Sequence, residues 1–224
     1  MDKSLNQQTY DRCKKDIMTF ALKPGDPVSA AKLAERYNVS RTPAREALVR
    51  LNTEGLVDIF PQSKSMISKI NVSRARQEWF IRKTLEIGMI DAFFENAAPA
   101  DIEQMKAYAK QCESIGMQPR NHETSYEYII NDNKFHAVTY RVAGETLASE
   151  LIESTMVHYS RVRLLADLDN DHKDRTVSEH EGLIRLAEAG DKEGYRKMLT
   201  LHLERVLGDI EQMCSQFPEL FEMG

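Results

Sequence analysis

Cysteine is scarce in this chain of 224 residues, which contains three scattered copies. Cys13, Cys112 and Cys214 form no CxxC pair, so the sequence has neither a disulfide framework nor the ligand spacing of a zinc ribbon. Long apolar runs are also missing, and no stretch approaches the roughly 20 residues of a membrane span. The N-terminal segment, MDKSLNQQTYDRCKKD, lacks the apolar core of a signal peptide. We therefore expect a cytoplasmic protein with no membrane partner.

Charge is divided unevenly along the chain, whose overall net charge is −5. Residues 1–70 hold 12 Lys and Arg against 8 Asp and Glu, whereas residues 71–224 hold 18 against 27. A basic N-terminal part followed by an acidic remainder suits a DNA-binding module joined to a body that does not adhere to DNA.

Residues 38–57, NVSRTPAREALVRLNTEGLV, have the pattern of the second half of a helix-turn-helix. Ser40 is placed to cap a helix, because its hydroxyl can accept from the N–H groups of the first turn. Ala44, Leu48 and Leu51 recur at spacings of 4 and 3 and form one apolar stripe. This segment is therefore predicted to be a helix packed through one face.

The surrounding segments complete a winged module. Ser29 precedes a short amphipathic segment, AAKLAERY, and Asn38 can take the left-handed conformation that closes the turn after it. Gly55 is placed as a C-terminal cap, and two β-like runs, LVDIF and SMISKI, flank a polar turn at 61–64. The order of these elements favours a winged helix-turn-helix over an ordinary pair of core helices carrying surface arginines.

Two arginines mark the outer side of the predicted recognition helix. Arg41 and Arg45 lie one turn apart and off the apolar stripe, with Thr42 beside the first. Cations in the first turn of a helix interact unfavourably with the helix dipole. Contact with an anionic partner makes their electrostatic energy favourable. Arg also reads guanine through two parallel hydrogen bonds. The pattern therefore predicts a helix that binds DNA.

From about residue 72 onward the pattern is helical almost throughout, with breaks at Pro, Gly and polar clusters. Short loops between antiparallel helices make a bundle. The fold class is therefore mostly α, with a winged helix-turn-helix over 1–70 and a six-helix bundle over 71–224. The predicted helices lie near 72–97, 99–116, 121–142, 145–168, 173–189 and 191–215.

Four polar side chains lie on apolar stripes of three predicted helices: Asp132, His136, His180 and His202. An unpaired buried polar group costs about 1–3 kcal/mol, so four inward groups need a common partner. One divalent transition metal ion would satisfy them all, and three nitrogens with one oxygen suit Zn, Ni, Mn, Co or Fe. On spacing alone, a metal-free Asp–His hydrogen-bond network stays open as the alternative.

With these residues in view, the chain resembles GntR-family transcription regulators of the branch with an all-helical FCD effector domain. The resemblance rests on LAERYNVSRTPAREALVRLNTEGLV and, in this order, on DNKFH, SEHEGLIRLAEAGD and MLTLHLERV. It implies that the family's metal-site pattern falls on the same four polar residues. It also implies a homodimer whose recognition helices enter successive major grooves of double-stranded DNA at a pseudo-palindromic operator.

The resemblance further assigns the DNA contacts to Ser40, Arg41, Thr42 and Arg45. One departure concerns the wing, where the glycine common in the family is replaced near Lys64. Lys64 is placed to supply a phosphate contact instead.

Members of this branch typically bind a small carboxylate in the bundle, often at the metal. A bidentate Arg is the natural partner of a carboxylate, and Arg82 and Arg161 are the effector-binding candidates. The alternative for Arg82 is an ordinary helix ion pair with Glu86. The resemblance therefore implies a regulator, in its commoner form a repressor, that a small carboxylate metabolite releases from its operator.

Two other functions compete with this interpretation. One is a regulator for which the metal itself is the signal, without an organic acid. The other is a metal-dependent hydrolase. The sequence offers no nucleophile motif and no second carboxylate placed as a general base, and a DNA-binding module has no use in such an enzyme. We therefore expect a protein that is not an enzyme.

Overall fold

The structure is a computed structural model that describes residues 4–60, 65–169 and 172–223, with only the backbone described for 172–174. The described chain divides into two compact units. The first is Met1–Val72 together with Phe217–Gly224, and the second is Ser73–Gln216. Within the described residues, no helix is both long and apolar enough to cross a membrane.

The first unit combines helices with a small sheet and contains the helix-turn-helix. Its α1 packs against α3, as does α2. The helices are α1 (Leu5–Met18), α2 (Ala30–Tyr37) and α3 (Arg41–Thr53), and the strands are β1 (Pro27–Val28), β2 (Val57–Asp58), β3 (Ser65–Ile67), β4 (Ile70–Asn71) and β5 (Phe221–Glu222).

The helix-turn-helix follows the sequence pattern closely. Ser29 caps α2, because its hydroxyl accepts from the backbone N–H of Lys32 at 3.2 Å. Asn38 ends the helix in the left-handed conformation, with φ of 53°. The apolar stripe predicted for α3 is buried, and it consists of Ala44, Leu48 and Leu51.

Ser40 differs from the prediction in one respect. It occupies the N-cap position of α3 with an extended backbone, but its side chain makes no capping hydrogen bond with the described residues. Pro43, the third residue of the helix, has no N–H, which removes one of the two usual donors to a capping hydroxyl. The exposed hydroxyl of Ser40 is therefore not used as a helix cap.

Gly55 ends α3 as predicted, with a positive φ of 78°. Two backbone hydrogen bonds close the end of the helix, from Leu56 N to Leu51 O at 2.9 Å and from Gly55 N to Asn52 O at 3.0 Å. This pairing is a Schellman motif, which satisfies two of the last carbonyl groups.

The predicted wing is an antiparallel pair of strands. β2 pairs with β3 in the register Val57↔Ile67, and β1 joins the other edge of β3, giving the order β1-β3-β2. The turn at 61–64, which includes Lys64, lies outside the described residues.

The C-terminal segment belongs to the first unit, although the sequence pattern assigns residues 71–224 to one helical body. β5 pairs in parallel with β4 in the register Ile70↔Phe221, and the side chain of Phe221 is buried. Nδ2 of Asn71 donates to the Glu222 carboxylate at 3.0 Å. A two-residue strand has too little periodicity to be recognised, and its partner is about 150 residues away along the chain.

The second unit is helical, and three of its six predicted helices are interrupted. The breaks fall at single residues, Met89, Met156 and Arg205. At the last break, the indole N–H of Trp79 donates to the carbonyl of Leu203 at 2.7 Å, which places a side-chain donor at the helix end. In the described residues the segments are α4 (Val72–Gly88), α5 (Ile90–Asn96), α6 (Pro99–Gly116), α7 (His122–Val142), α8 (Thr146–Thr155), α9 (Val157–Asp169), α10 (His172–Glu188), α11 (Lys192–Glu204) and α12 (Val206–Gln216).

An apolar core between α5, α6, α7, α10 and α11 holds the bundle together. Phe93 stacks on Tyr195, with ring centroids 5.7 Å apart. Phe135 of α7 belongs to the same core and lies next to His136 in the sequence. The polar site described below is therefore placed against a tightly packed apolar cluster.

Replacing Gly55 by Ala tests the helix end that shapes the module. A residue with a Cβ pays about 1–2 kcal/mol in the left-handed conformation, so Gly55→Ala should lower the free energy of unfolding by about that amount. Urea unfolding followed by circular dichroism measures the change. The matched control is Gly88→Ala at the end of α4, where a Cβ meets open space and should be neutral or stabilising. Equal stability of Gly55→Ala and the wild type would contradict the assignment of Gly55 as the left-handed residue that ends α3.

Candidate metal centre and DNA-binding surface

The four polar residues singled out by the sequence come together in one place. α7 presents Asp132 and His136 one turn apart, α10 presents His180 and α11 presents His202. Each offers one ligand atom, and these atoms all lie within 4.8 Å of one another. Nε2 of His202 is 3.2 Å from Nε2 of His136, and Nε2 of His180 is 3.4 Å from Oδ1 of Asp132.

The hydrogen bonds of the cluster are incomplete. Asp132, His136 and His180 are buried, and His202 is nearly so. Neither ring nitrogen of His180 has a hydrogen-bond partner among the described residues, and neither does Oδ1 of Asp132. A cation among the four ligand atoms would bind one ring nitrogen of His180 and an oxygen of Asp132, whereas a metal-free network leaves His180 without a partner there. The donor set therefore fits a metal ion.

Two glutamates orient the imidazoles. Oε2 of Glu86 accepts from Nδ1 of His136 at 2.7 Å, and Oε2 of Glu179 accepts from Nδ1 of His202 at 2.7 Å. In His136 this bond fixes the proton on Nδ1, so the lone pair of Nε2 faces the centre of the cluster. Nδ1 of His202 also lies 2.9 Å from Nη2 of Arg205, a donor that competes with Glu179 for this nitrogen. This carboxylate–imidazole arrangement is the usual support of metal-ligating histidines.

Sequence reasoning missed both glutamates as parts of the site. The sequence indicates Glu86 only as a helix partner of Arg82, and Glu179 directly precedes His180 in the motif SEHEG. The position of Glu179 next to His180 was the available signal for a role in the site. The sequence does not indicate that Glu179 reaches His202 on another helix.

The protonation states of the cluster suit metal binding. Burial lowers the pKa of His180 well below its ordinary value and lowers the pKa of His202 to about 4, so both rings are neutral at pH 7. Burial acts to raise the pKa of Asp132, but the charges of Arg163 and Arg82 hold it well below its ordinary value. Neutral imidazoles and an ionised carboxylate are the forms that coordinate a cation.

A small cavity of about 80 Å³ adjoins the cluster. Asp132 and His202 form part of its wall, so a molecule in the cavity would lie beside the ligand atoms. Four arginines and two further aspartates also line it: Arg82, Arg163, Arg175, Arg205, Asp167 and Asp209. Arg82 and Arg163 already bond carboxylates of the site, and the guanidinium groups of the wall are the donors that an anion would use.

Arg82 is both an effector candidate on the wall and the partner of Glu86. Its Nε donates to Glu86 at 2.6 Å, so the alternative ion pair is present, but both side chains are buried rather than on the surface. Its Nη1 also lies 3.3 Å from Oδ1 of Asn133. Arg82 therefore connects the wall of the cavity to the support of His136.

Arg161, the second effector candidate, is fully buried and is not among the described residues that line the cavity. Arg163 lines it instead. Its guanidinium donates to the Asp132 carboxylate and to Oδ1 of Asn133, the latter at 3.0 Å. Side chains two positions apart on a helix point about 200° away from each other. Only one of Arg161 and Arg163 can therefore face the cavity. The sequence pattern of α9 did not determine which one does.

The predicted DNA-contacting side chains share the outer face of α3. Ser40, Arg41, Thr42 and Arg45 are all exposed, opposite the buried stripe. The first turn of the helix thus offers two guanidinium groups and two hydroxyls to solvent. Lys64, the fifth residue assigned to DNA, lies outside the described residues.

Two family matches cover most of the chain. Residues 5–67 match the family described as "Bacterial regulatory proteins, gntR family", and residues 79–205 match the FCD domain. The FCD match includes all four residues of the candidate metal centre. The GntR match includes the helix-turn-helix and the strands of the wing.

Relatives of known name cover almost the full chain. A regulator of Streptomyces ambofaciens, described as an "Uncharacterized HTH-type transcriptional regulator in unstable DNA locus", is 29% identical over 95% of this chain and 87% of its own. The "HTH-type transcriptional repressor RspR" of Escherichia coli K12 is 25% identical over 97% of this chain and 93% of its own. The solved structure of E. coli McbR/YncC superposes with a TM-score of 0.77 at 23% identity, covering 95% of this chain and 99% of that one, which supports the fold.

The matched families and these relatives are transcription regulators rather than enzymes, so the hydrolase interpretation is set aside. The winged helix-turn-helix and the helical unit agree with the two matched domains in order and extent. The chain therefore belongs to the GntR family of bacterial DNA-binding transcription regulators, in the branch that carries an FCD domain.

Proposed function

We propose that this regulator changes its operator affinity when a small organic acid binds beside a divalent metal ion in the FCD domain. The ion would be held by the four clustered side chains, Asp132, His136, His180 and His202. The observation that carries the proposal is the convergence of four ligand atoms within 4.8 Å, with ring nitrogens of His180 that have no other partner among the described residues.

The donor set favours a transition metal. Three imidazole nitrogens and one carboxylate oxygen suit Zn, Ni, Mn, Co or Fe better than Ca or Mg, which prefer oxygen. When bound, such an ion supplies a Lewis acid that attracts an anionic group of the effector. The chain's own contribution is a preformed set of donors whose orientation is fixed by Glu86 and Glu179.

The cavity limits the size of the effector. Its volume of about 80 Å³ is far below the roughly 300–1,000 Å³ of sites for drug-sized ligands. One water needs about 10–15 Å³ on this scale, so the space suits a molecule of about half a dozen non-hydrogen atoms. A monocarboxylate of two to four carbons fits this space, with Arg163 and Arg82 as its cationic neighbours.

DNA binding is assigned to α3 and the wing. Arg41 and Arg45 would contact phosphates or guanine edges, and Ser40 and Thr42 would donate to phosphates. Lys64 is assigned a phosphate contact from its position in the wing sequence. A homodimer would place two such helices on the half-sites of a pseudo-palindromic operator.

A ligand moves an equilibrium only through its different affinities for the two states. We propose that the organic acid favours an arrangement of the FCD domains in which the two recognition helices no longer match the operator. Release of DNA is then the outcome, as expected of a repressor, and the name of the relative RspR agrees with this direction.

The rival regulator would respond to the metal alone. It is favoured by one observation, namely that all four ligand atoms of the proposed site come from the protein's own side chains. The two proposals differ in whether an organic acid changes the operator affinity of the metal-loaded protein.

Removing a proposed ligand tests the metal site. We expect His180→Ala and His202→Ala to lose most of the bound metal, because each removes one of four donors. Elemental analysis of protein purified without chelators measures the metal content. His122→Ala is the matched control, because His122 is exposed at the start of α7 and outside the cluster. Unchanged metal content in both cluster variants would show that the site is wrong.

A thermal-shift series of organic acids tests the effector class. We expect acids of two to four carbons to raise the Tm of the metal-loaded protein and to weaken operator binding in gel-shift assays, since the cavity admits only small anions. Citrate and six-carbon sugar acids should act more weakly. If no acid has an effect while added metal alone changes operator affinity, the metal-only regulator is correct.

Arg45→Ala tests the recognition helix. We expect operator binding to weaken by about 1–3 kcal/mol, because a guanidinium that contacts the DNA is lost. Gel-shift titration at fixed salt measures the effect. Arg185→Ala, which removes an exposed arginine of α10 in the FCD domain, is the control and should bind as the wild type does. An undiminished shift for Arg45→Ala would remove this residue from the interface.

A further inference from the structure

Glu78 is a buried carboxylate on α4 that belongs neither to the metal cluster nor to the described cavity wall. Its Oε2 accepts from the backbone N–H of Tyr159 at 2.8 Å. Its Oε1 accepts from Nε of Arg74 at 3.1 Å. A buried charge is retained only when it is well bonded, so these contacts indicate a specific role.

The contact with Tyr159 lies at the interruption between α8 and α9. A new helix begins at Val157, directly after Met156, and Tyr159 is its third residue. The first N–H groups of a helix find no carbonyl within that helix. Met156 precedes the helix but has no side-chain oxygen to cap it. Glu78 takes the place of the missing cap from a different helix, and in its ionised form it also suits the positive end of the helix dipole.

α9 builds one side of the cavity. Tyr159 and Arg163 of this helix line the cavity, and the Arg163 guanidinium donates to the Asp132 carboxylate. Nη1 of Arg82 lies 3.4 Å from the Tyr159 hydroxyl. The position of α9 along its axis therefore determines how Arg163 holds Asp132, a proposed metal ligand.

Three buried charges repeat along α4 at intervals of four residues: Glu78, Arg82 and Glu86. This spacing places them on one face of the helix. Glu78 bonds the start of α9, Arg82 lies on the cavity wall, and Glu86 orients His136. One face of α4 thus connects to both sides of the site.

We propose that Glu78 is a positioning residue of the sensor site: by capping α9 from α4, it fixes Arg163 and Tyr159 on the cavity wall and, through Arg163, orients Asp132. This inference depends on the proposed function for the role of the site as a sensor. The cap itself does not depend on it.

Burial raises the pKa of Glu78 to about 7. The cap requires an acceptor oxygen at the end of the side chain, and a glutamine amide supplies one in nearly the same place. Glu78→Gln is therefore the conservative variant, and Glu78→Met, of similar length but without an acceptor, removes the cap.

The test uses the full-length protein and zinc alone as the probe. For Glu78→Met we expect faster hydrogen exchange at the first turn of α9 and zinc affinity reduced about tenfold in chelator competition, the lower end of the range for loss of outer partners of a metal ligand. Glu78→Gln should stay close to the wild type in both measurements.

A matched control separates positioning from general destabilisation. Asp101 caps α6 by accepting from the N–H of Ala98 at 2.8 Å, and no residue of α6 belongs to the cluster or to the described cavity wall. Asp101→Ala should lower the Tm and leave zinc affinity unchanged. If Glu78→Met does not fold, Glu78→Asp, shorter by one methylene, should change exchange and affinity in the same direction.

The experiment distinguishes a failure of the proposed metal site from a failure of the positioning role of Glu78. If the wild type binds no zinc, the proposed metal site fails, and the exchange measurement still decides whether Glu78 caps α9. If the wild type binds zinc and Glu78→Met binds it equally well, Glu78 does not position the site. Unchanged exchange at α9 in Glu78→Met overturns the inference whatever the zinc result.

Discussion

The FCD domain depends on satisfying a group of polar side chains that have been removed from water. Asp132, His136 and His180 are buried in a helical unit whose neighbouring core is apolar. Buried polar groups are costly unless they are paired, so each requires a partner supplied by another helix. Glu86 and Glu179 pair two of the imidazoles, while His180 retains ring nitrogens without a partner in the described structure. A cation bound to the four ligand atoms would give one of these nitrogens a partner, which is the basis of the proposed metal site.

Two of the three helix interruptions in this unit are bonded by side chains of α4. The break at Met156 frees N–H groups that Glu78 can bond, and the break at Arg205 follows the carbonyl that accepts from Trp79. Both bonding side chains lie on α4, next to each other in the sequence. Residues on one helix thus bond the start of α9 and the end of α11.

Much of this arrangement could be predicted from the sequence, because it depends on periodicity within single helices. The spacing of Asp132 and His136 places them on one face of α7, and the apolar stripe of α3 leaves Arg41 and Arg45 outside.

What could not be predicted depends on how different helices face each other. Arg163 rather than Arg161 lines the cavity, Glu179 reaches His202, and Phe221 pairs with Ile70. Local patterns carry no information on such distant partners.

X-ray absorption at the metal edge of the purified full-length regulator tests the central claim most directly. We expect a transition-metal signal whose first shell contains only nitrogen and oxygen, at about 2.0–2.2 Å if the metal is zinc, with the outer scattering of imidazole rings. A first shell containing sulfur would assign the metal to a cysteine instead of to the four clustered side chains. Protein that binds no transition metal, even when it is supplied in excess, would contradict the account.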